Sequence, residues 1–206
     1  MARSAEQTHE KADARRVRGR IIQAAAEVFA REGPTATSVE DLLRAAGVSR
    51  RTFYKYFRGK EDALRALFRV ATSAMMNAIR GGLEADGDAD AKLTGAVDAY
   101  LRIHCVQPAL ASMLIAEAIR TDSLLGPGRE AVIDSAIKLY VEELSAAGGP
   151  PLDPLVVRGV ILATEGLCIQ LLAAPNPTAR EIERVRAAIL TITRRALDIT
   201  GGAPGR

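Results

Sequence analysis

Basic and aromatic side chains are concentrated in one short stretch of the chain, residues 42–60. Its nineteen residues, LLRAAGVSRRTFYKYFRGK, include six Lys or Arg and four aromatic residues but no acid. Cations at this density, with ring and hydroxyl groups between them, are suited to binding a polyanion such as nucleic acid. The elements around the stretch must hold these cations on one surface.

Helical spacing occurs on both sides of Gly47. Val39 and Leu42 lie three residues apart before it, and Phe53 and Phe57 lie four residues apart after it. The pattern predicts two short helices with their apolar side chains in a common core.

The residues between the two helices are suited to a tight turn. Gly47 has no Cβ and takes a positive φ at little cost, and Val48 can pack on the core. Ser49 can cap the second helix by accepting a hydrogen bond from a free backbone N–H group. This order is typical of a helix-turn-helix, whose second helix enters the major groove of DNA.

The start of the second helix carries the candidate base contacts. Beyond Ser49, the exposed candidates are Arg50, Arg51, Thr52 and Lys55. The planar guanidinium of arginine matches O6 and N7 of guanine, and a threonine methyl can contact the thymine methyl. We expect Arg50 and Arg51 to contact bases; the alternative is that one of them contacts only phosphate.

The chain resembles a known family at many positions of this region, in order and spacing. The residues are Phe29, Thr37-Ser38-Val39, Leu42, Ala45-Ala46-Gly47-Val48-Ser49, Thr52-Phe53-Tyr54-Lys55-Tyr56-Phe57 and Lys60-Glu61-Asp62-Ala63-Leu64. They resemble the DNA-binding domain of the TetR family of one-component transcriptional regulators, over about residues 15–68. The chain departs from the family pattern at Arg51, where a small residue is common, and at Tyr56, where histidine is common.

The resemblance implies that Tyr54, Tyr56 and Lys60 contact the phosphate backbone. Thr37 and Ser38 can add hydroxyl and N–H contacts from the start of the first short helix, where the helix dipole favours an anion. Such contacts set the register on DNA without identifying its sequence. Arg15, Arg16, Arg18 and Arg20 form a basic arm that either touches DNA or is simply solvated.

The remaining composition divides the chain into parts. Residues 1–62 hold 13 bases and 9 acids, whereas residues 63–206 hold 15 bases and 16 acids, so only the first part is a candidate polyanion binder. Apolar periodicity is helical throughout and predicts an all-α protein. We predict a disordered tail at residues 1–14, a DNA-binding domain at 15–62, a ligand-binding and dimerisation domain at 63–200, and a flexible tail at 201–206.

Helix boundaries are predicted from punctuating residues. The first helix is expected at about residues 17–32, and a long fourth helix is expected to start after Gly59 and to end at Gly81-Gly82. Residues 84–90, EADGDAD, are expected to form an acidic connector. Residues Ser38-Val39-Glu40-Asp41 are expected to form a capping box at the start of the first short helix. Asp153-Pro154 and the Thr178 and Glu181 pair are expected to start the last two helices.

The last two helices are apolar on more than one face. Residues 155–174 and 182–200 carry more hydrophobic surface than one side of a monomer needs, which predicts a homodimer through a four-helix bundle. The resemblance to the TetR family implies the same arrangement, together with a palindromic DNA operator and release of a repressor by a small molecule.

Polar residues within apolar stripes indicate a ligand site in the second domain. A buried carboxylate needs a partner, solvent or a ligand, so Glu117 and Glu165 are the most informative, with Arg120, Arg158 or a second subunit as alternative partners. The expected guest is a mainly apolar small molecule, neutral or cationic, of unknown identity. The candidate lining residues are Met75, Tyr100, His104, Met113, Glu117, Tyr140, Glu165 and Cys168.

Other functional classes are disfavoured by the sequence. Two histidines, His9 and His104, and the lack of a phosphate-binding Gly loop or nucleophile motif argue against an enzyme. We expect no catalytic residue, metal or cofactor, and a DNA-binding protein without an inducer stays an alternative. Cys105 and Cys168 lack metal-type spacing, and charges interrupt the most apolar stretch, so we expect a cytoplasmic protein without a membrane contact.

Overall fold

A computed structural model describes residues 2–174 and 176–199. Over these residues the chain forms nine α-helices and no strand, which confirms the all-α prediction. It divides into two compact units, Met1–Val70 and Ala71–Arg206. The helices are α1 (Ala2–Ala36), α2 (Val39–Ala46), α3 (Arg50–Tyr56), α4 (Lys60–Glu84), α5 (Ala89–Val106), α6 (Pro108–Ala118), α7 (Gly126–Ala146), α8 (Pro154–Leu172) and α9 (Ala179–Ala196).

Helix α1 differs from the expected first helix at both ends. It begins at Ala2 rather than near residue 17, within the stretch predicted to be a disordered tail. Residues 2–18 contain no Gly or Pro and are rich in Ala, Glu, Lys and Arg, which favour helix. At the other end the chain kinks at Gly33 (φ 77°) and continues helically to Ala36. The tail predicted at residues 201–206 lies outside the described residues.

The first unit is built around aromatic side chains. Phe29, Leu42, Phe53 and Phe57 are all at most 2% exposed, as their helical spacing predicted. Helix α1 packs against α2. This unit extends to Val70, past the boundary predicted at residue 62.

Local caps define the two short helices as expected. Ser38 and Asp41 form a reciprocal capping box at the start of α2, and Ser49 caps α3 by accepting from the Thr52 N–H group. Gly47 ends α2 in the left-handed region, with φ 60° and ψ 41°. The turn between α2 and α3 therefore has the backbone geometry that the sequence predicted.

The second unit is a bundle of amphipathic and apolar helices. Helix α8 packs against α6, α7 and α9, while α5 packs against α6, α7 and α9. Two arginines of α9 connect it to α5: Arg186 donates to Asp98 at 2.5 and 3.1 Å, and Arg194 donates to Asp90 at 2.5 and 2.9 Å. Leu83, Leu93, Leu144, Val157 and Ile189 lie in its core and are at most 1% exposed.

The sequence predicted that α4 ends at Gly81-Gly82, but the helix continues to Glu84. Gly82 allows close helix packing, because a Cβ at this position would lie 2.5 Å from the carbonyl carbon of Gly95 in α5. Lys92 of α5 also donates to the Leu83 carbonyl at 2.6 Å. Helices α4 and α5 therefore cross with their backbones in contact, which only glycine permits.

The glycine crossing yields a matched pair of variants. We expect Gly82→Ala to lower the free energy of unfolding by roughly 1–3 kcal/mol, because the added methyl forces two helix backbones apart. Gly81→Ala is the control, since its Cβ would meet nothing within 4 Å. That change should raise stability by up to about 1 kcal/mol through helix propensity. Urea unfolding measures both, and equal stability of the two variants would contradict the crossing.

Candidate DNA-binding surface and candidate ligand region

Helix α3 presents its charged side chains to solvent. Arg51, Tyr54 and Lys55 are exposed, and Tyr56 is partly buried. Phe53, which lies on the opposite side, is buried and meets the Tyr54 ring edge-on at a centroid distance of 5.5 Å. The helix therefore offers cations on a surface supported by an aromatic core.

Arg50 forms an ion pair within the protein. Its guanidinium forms an ion pair with Glu40 of α2, a residue that the sequence analysis did not assign to the surface. Both side chains are more than half exposed, so the pair is weak and exchangeable. The pair uses one amino group of Arg50 and restrains its guanidinium, whereas Arg51 is exposed on the same turn of α3.

The serine hydroxyls predicted to contact DNA are used as helix caps. Ser38 Oγ accepts from the Asp41 N–H group at 3.2 Å and donates to Asp41 Oδ2 at 2.5 Å. Ser49 Oγ accepts from the Thr52 N–H group at 3.1 Å and lies 2.9 Å from Thr52 Oγ1. The Ser38 hydroxyl bond also lowers the pKa of Asp41, which therefore stays ionised at the start of α2.

Thr37 requires a correction. The sequence placed its hydroxyl among the DNA contacts, but the residue is only 1% exposed. Its Oγ1 donates to the Gly33 carbonyl at 2.8 Å, and its N–H group donates to the same carbonyl at 3.3 Å. Both donors are used to close the last turn of α1, because the kink at Gly33 directs that carbonyl toward Thr37.

Lys60 also has partners that the sequence did not indicate. Its Nζ donates to the backbone carbonyls of Pro34, Thr35 and Thr37 at 2.9, 3.1 and 2.7 Å. The first two carbonyls belong to the last turn of α1 and the third lies just before α2, at least 23 residues earlier in the chain. No local pattern could predict the contact.

The basic arm is part of α1. Arg15, Arg16 and Arg20 are exposed on it. Arg18 lies over the Phe57 ring, with its Cζ 5.4 Å from the ring centroid. This cation–π contact holds one guanidinium beside the end of α3, where it adds to the positive surface.

In the second unit, Tyr100 and His104 form the centre of the candidate ligand region. Their rings lie 4.2 Å apart, and His104 Nδ1 is 2.8 Å from the Tyr100 carbonyl oxygen. A carbonyl cannot donate, so Nδ1 carries the proton and Nε2 of the neutral ring is an acceptor. Burial raises the pKa of Tyr100 well above its usual value, and the neighbouring Cys168 and Glu165 raise it further.

Cys168 and Tyr140 belong to the same region. Cys168 is fully buried, and burial raises the pKa of its thiol to about 12. Burial likewise raises the pKa of Tyr140. Met75 and Tyr140 pack against the core of this unit beside Tyr100. These groups are all uncharged at neutral pH, which makes the region weakly polar.

Glu165 finds its partner on α7. Arg129 holds both of its carboxylate oxygens, with Nε to Oε1 at 3.0 Å, and both side chains are less than a fifth exposed. The sequence had proposed Arg120 or Arg158 instead. Arg158 pairs with Glu130 and Asp134, so α8 makes two sets of ion pairs with α7.

The two predicted lining residues of α6 have other surroundings. Glu117 is partly buried. The nearby Arg120 guanidinium bonds with Asp122, and both Asp122 and Glu117 raise the pKa of Arg120. Met113 is partly buried on the same helix. Of the eight predicted lining residues, Tyr100, His104 and Cys168 lie together, Tyr140 and Glu165 are near enough to raise the pKa of Tyr100, and Met75 packs against the adjoining core.

Within residues 2–174 and 176–199, no group of three or more His, Cys, Asp and Glu is placed to hold a metal ion. Cys105 and Cys168 are both free thiols.

Comparison with known sequences supports the class of protein that the first unit defines. The sequence model of the family described as "Bacterial regulatory proteins, tetR family" matches residues 21–67. An uncharacterized HTH-type transcriptional regulator of Bacillus subtilis (strain 168), YvdT, is 33% identical over 69 residues, which are 34% of this chain and 36% of that protein. The chain thus matches about a third of the length of the curated relatives.

Comparison with solved structures extends the likeness in fold. The fatty acid degradation regulator FadR from Bacillus halodurans has a TM-score of 0.71 and 22% identity, covering 92% of this chain and 97% of that one. FadR from Bacillus subtilis, in complex with stearoyl-CoA, has a TM-score of 0.72 and 20% identity, covering 88% and 98%. These findings identify residues 21–67 as a TetR-type DNA-binding region and show that the rest of the chain shares the fold of solved transcriptional regulators.

The buried histidine gives a pH-dependent prediction. Burial lowers the pKa of His104 below its ordinary value of 6.5, although the Tyr100 carbonyl and Glu165 oppose the shift. As pH falls below about 6.5, the unfolded chain binds a proton that the folded chain does not, so stability should fall. His104→Gln should reduce the loss measured by urea unfolding between pH 7.5 and pH 5.5.

His9 supplies the control, because its side chain is 84% exposed on α1. His9→Gln is measured in the same assay as a histidine replacement outside the buried region. The same pH dependence in His104→Gln as in the unmodified protein would show that other groups cause it.

Proposed function

We propose that the protein is a dimeric repressor that binds an operator through α3 and is released by a small molecule. The observation that carries the proposal is the helix-turn-helix geometry of the first unit. A left-handed Gly47 and a Ser49 cap place α3 so that Phe53 is buried while Arg51 and Lys55 are exposed. A helix of this kind fits the major groove, where its first residues meet base edges.

The exposed face of α8 supports homodimerisation. Leu155, Gly159, Leu162 and Gly166 repeat at helical distances along one side of α8, and all four are exposed. A Cβ added at either glycine would meet nothing within 4 Å, so a second helix has room to approach closely. Ile192 continues the apolar surface on α9 at 42% exposure. A second copy of the same two helices would cover this face.

Helix α8 is also long and apolar enough to cross a membrane, with 28% of that stretch buried. Its charges favour the bundle instead. Arg158 and Glu165 are committed to ion pairs with α7, which a lipid-facing helix would have to break. We therefore assign the exposed apolar stripe to the dimer and the protein to the cytoplasm, where its two thiols stay reduced.

The proposed inducer site is the region around Tyr100, His104 and Cys168. Its walls are apolar or neutral, and His104 Nε2 is an acceptor in the neutral ring. A mainly apolar guest suits such a surface. Long-chain acyl-CoA is the first compound class to test, because FadR of Bacillus subtilis, similar in fold, is described in complex with stearoyl-CoA.

Helix α4 provides the route from ligand to DNA. It is a continuous helix whose first residues belong to the first unit and whose remainder belongs to the second. Its far end is held against α5 at Gly82 and Gly95, and α5 carries Tyr100 and His104. A ligand that displaces α5 would displace α4 and disturb the spacing of the two α3 helices, about 34–36 Å for successive major grooves.

Selection of bound fragments from genomic DNA tests the operator half of the proposal. We expect a palindromic site, because a two-fold dimer reads two half-sites. Arg51→Ala should cost roughly 1–3 kcal/mol at one base pair of each half-site and relax discrimination there. Recovery of a single unpaired half-site would contradict the dimer. An equal loss by Arg51→Ala on every sequence variant would contradict base reading.

Calorimetric titration tests the ligand half. An inducer should bind the free protein more tightly than the operator-bound protein, by the factor with which it weakens operator binding. Stearoyl-CoA is the first probe, and coenzyme A without the acyl chain is the control for the charged head group. Equal affinity for free and operator-bound protein would rule out a compound as the inducer. Failure of every apolar compound to bind would favour a regulator without an inducer.

A further inference from the structure

The ammonium of Lys60 has no donor left for DNA. A lysine ammonium has three N–H groups and no acceptor. Three backbone carbonyls, of Pro34, Thr35 and Thr37, lie 2.9, 3.1 and 2.7 Å from its Nζ. These distances are all within normal hydrogen-bond range. A phosphate oxygen could bind Nζ only if one of these carbonyls were given up.

The position of Lys60 in the sequence of helices explains why the contact forms. Lys60 is the first residue of α4, where the helix dipole disfavours a cation. Its side chain reaches the end of α1, where the dipole favours one. The kink at Gly33 interrupts α1 there, so the Pro34 and Thr35 carbonyls need partners outside the helix. Lys60 supplies them.

We propose that Lys60 is a positioning residue that cross-links the start of α4 to the turn between α1 and α2, and is not a phosphate ligand. The Thr37 carbonyl that it holds at 2.7 Å directly precedes Ser38, the N-cap of α2. This carbonyl shares a rigid peptide plane with the Ser38 N–H group, so holding it restrains the N-cap from which α2 starts. The DNA part of this inference rests on the proposed function, whereas the cross-link itself does not.

Through this cross-link, a displacement of α4 would also move the α1–α2 turn. Because Lys60 joins the start of α4 to the carbonyls before α2, a shift of α4 pulls on the α1–α2 turn directly. The start of α2 would therefore respond together with the position of α3. Loss of the ammonium should reduce the fraction of molecules in the binding-competent arrangement, and apparent affinity falls in proportion to that fraction.

The experiment compares Lys60→Met with Lys55→Met, an exposed lysine on α3. For Lys60→Met we expect the melting temperature of the free protein to fall by about 5 °C or more, because three carbonyls lose their donor. Operator affinity should fall about tenfold, while the slope of log affinity against log salt stays unchanged. Lys55→Met should leave the melting temperature unchanged and reduce the slope by about 0.9 if Lys55 contacts phosphate.

Two outcomes would overturn the proposal. One is a reduction of the salt slope by about 0.9 in Lys60→Met, whatever its melting temperature, since that is the effect of a lost phosphate contact. The other is an unchanged melting temperature in Lys60→Met. If the unmodified protein binds no DNA, the proposed function fails, and the melting temperature still decides whether the cross-link exists.

A spectroscopic measurement on the unmodified protein covers the case in which Lys60→Met does not fold. The side-chain ammonium should give a slowly exchanging ¹H–¹⁵N signal in the free protein, assigned by its loss in Lys60→Arg. That signal should keep its position when operator DNA is added. Absence of that signal from the free protein would show that the carbonyls do not hold the ammonium, and a strong shift on binding DNA would show that the ammonium transfers to phosphate; either result overturns the proposal.

Discussion

A helix of seven residues is not stable alone in water, because its few hydrogen bonds do not offset the cost of nucleation. Helix α3 has this length, so it depends on the burial of Phe53 and Phe57, which are 0% and 2% exposed. The same burial orients the helix. Residues on the opposite side from these rings must face solvent, and they include Arg51 and Lys55. Both the existence and the direction of the DNA-binding surface therefore follow from one aromatic contact.

Several polar groups on the surface around α3 already bond to other groups of the protein. Arg50 is paired with Glu40, and the hydroxyls of Ser38 and Ser49 cap their own helices. An exposed ion pair contributes about 0–1 kcal/mol, so exchanging Glu40 for a guanine edge or a phosphate costs little. DNA would thus displace weak internal partners at Arg50 and meet an exposed guanidinium at Arg51. This difference makes the two neighbouring arginines physically distinct, although their sequence context is nearly the same.

In the second unit, charge determines how the most apolar helix is oriented. Arg129 holds Glu165 in a partly buried ion pair, and breaking such a pair leaves a costly uncompensated charge. Arg158 adds a second connection from α8 to α7. Because these charges hold one edge of α8 against α7, the stripe that contains Leu155 and Leu162 is left facing outward. The exposed stripe, which is the proposed dimer surface, and the internal ion pairs are therefore two consequences of one helix orientation.

The sequence by itself determined the features that depend on neighbours within four residues. The capping boxes at Ser38 and Thr178, the left-handed Gly47, the Ser49 cap and the buried spacing of Phe53 and Phe57 all appear as predicted. The resemblance to the TetR family followed from the same local pattern, and the family model matches that region at residues 21–67.

Only the tertiary structure decided which distant groups meet. Gly82 was predicted to end α4, but the contact with Gly95 makes it a packing residue inside the helix. Lys60 was predicted to contact phosphate, but in the structure its ammonium bonds carbonyls near residue 35. Glu165 was predicted to pair with Arg120, Arg158 or a second subunit, but it pairs with Arg129. The physical reason is the same in each case. A charged or very small side chain can serve several partners equally well, and which one it meets depends on how helices far apart in the chain pack.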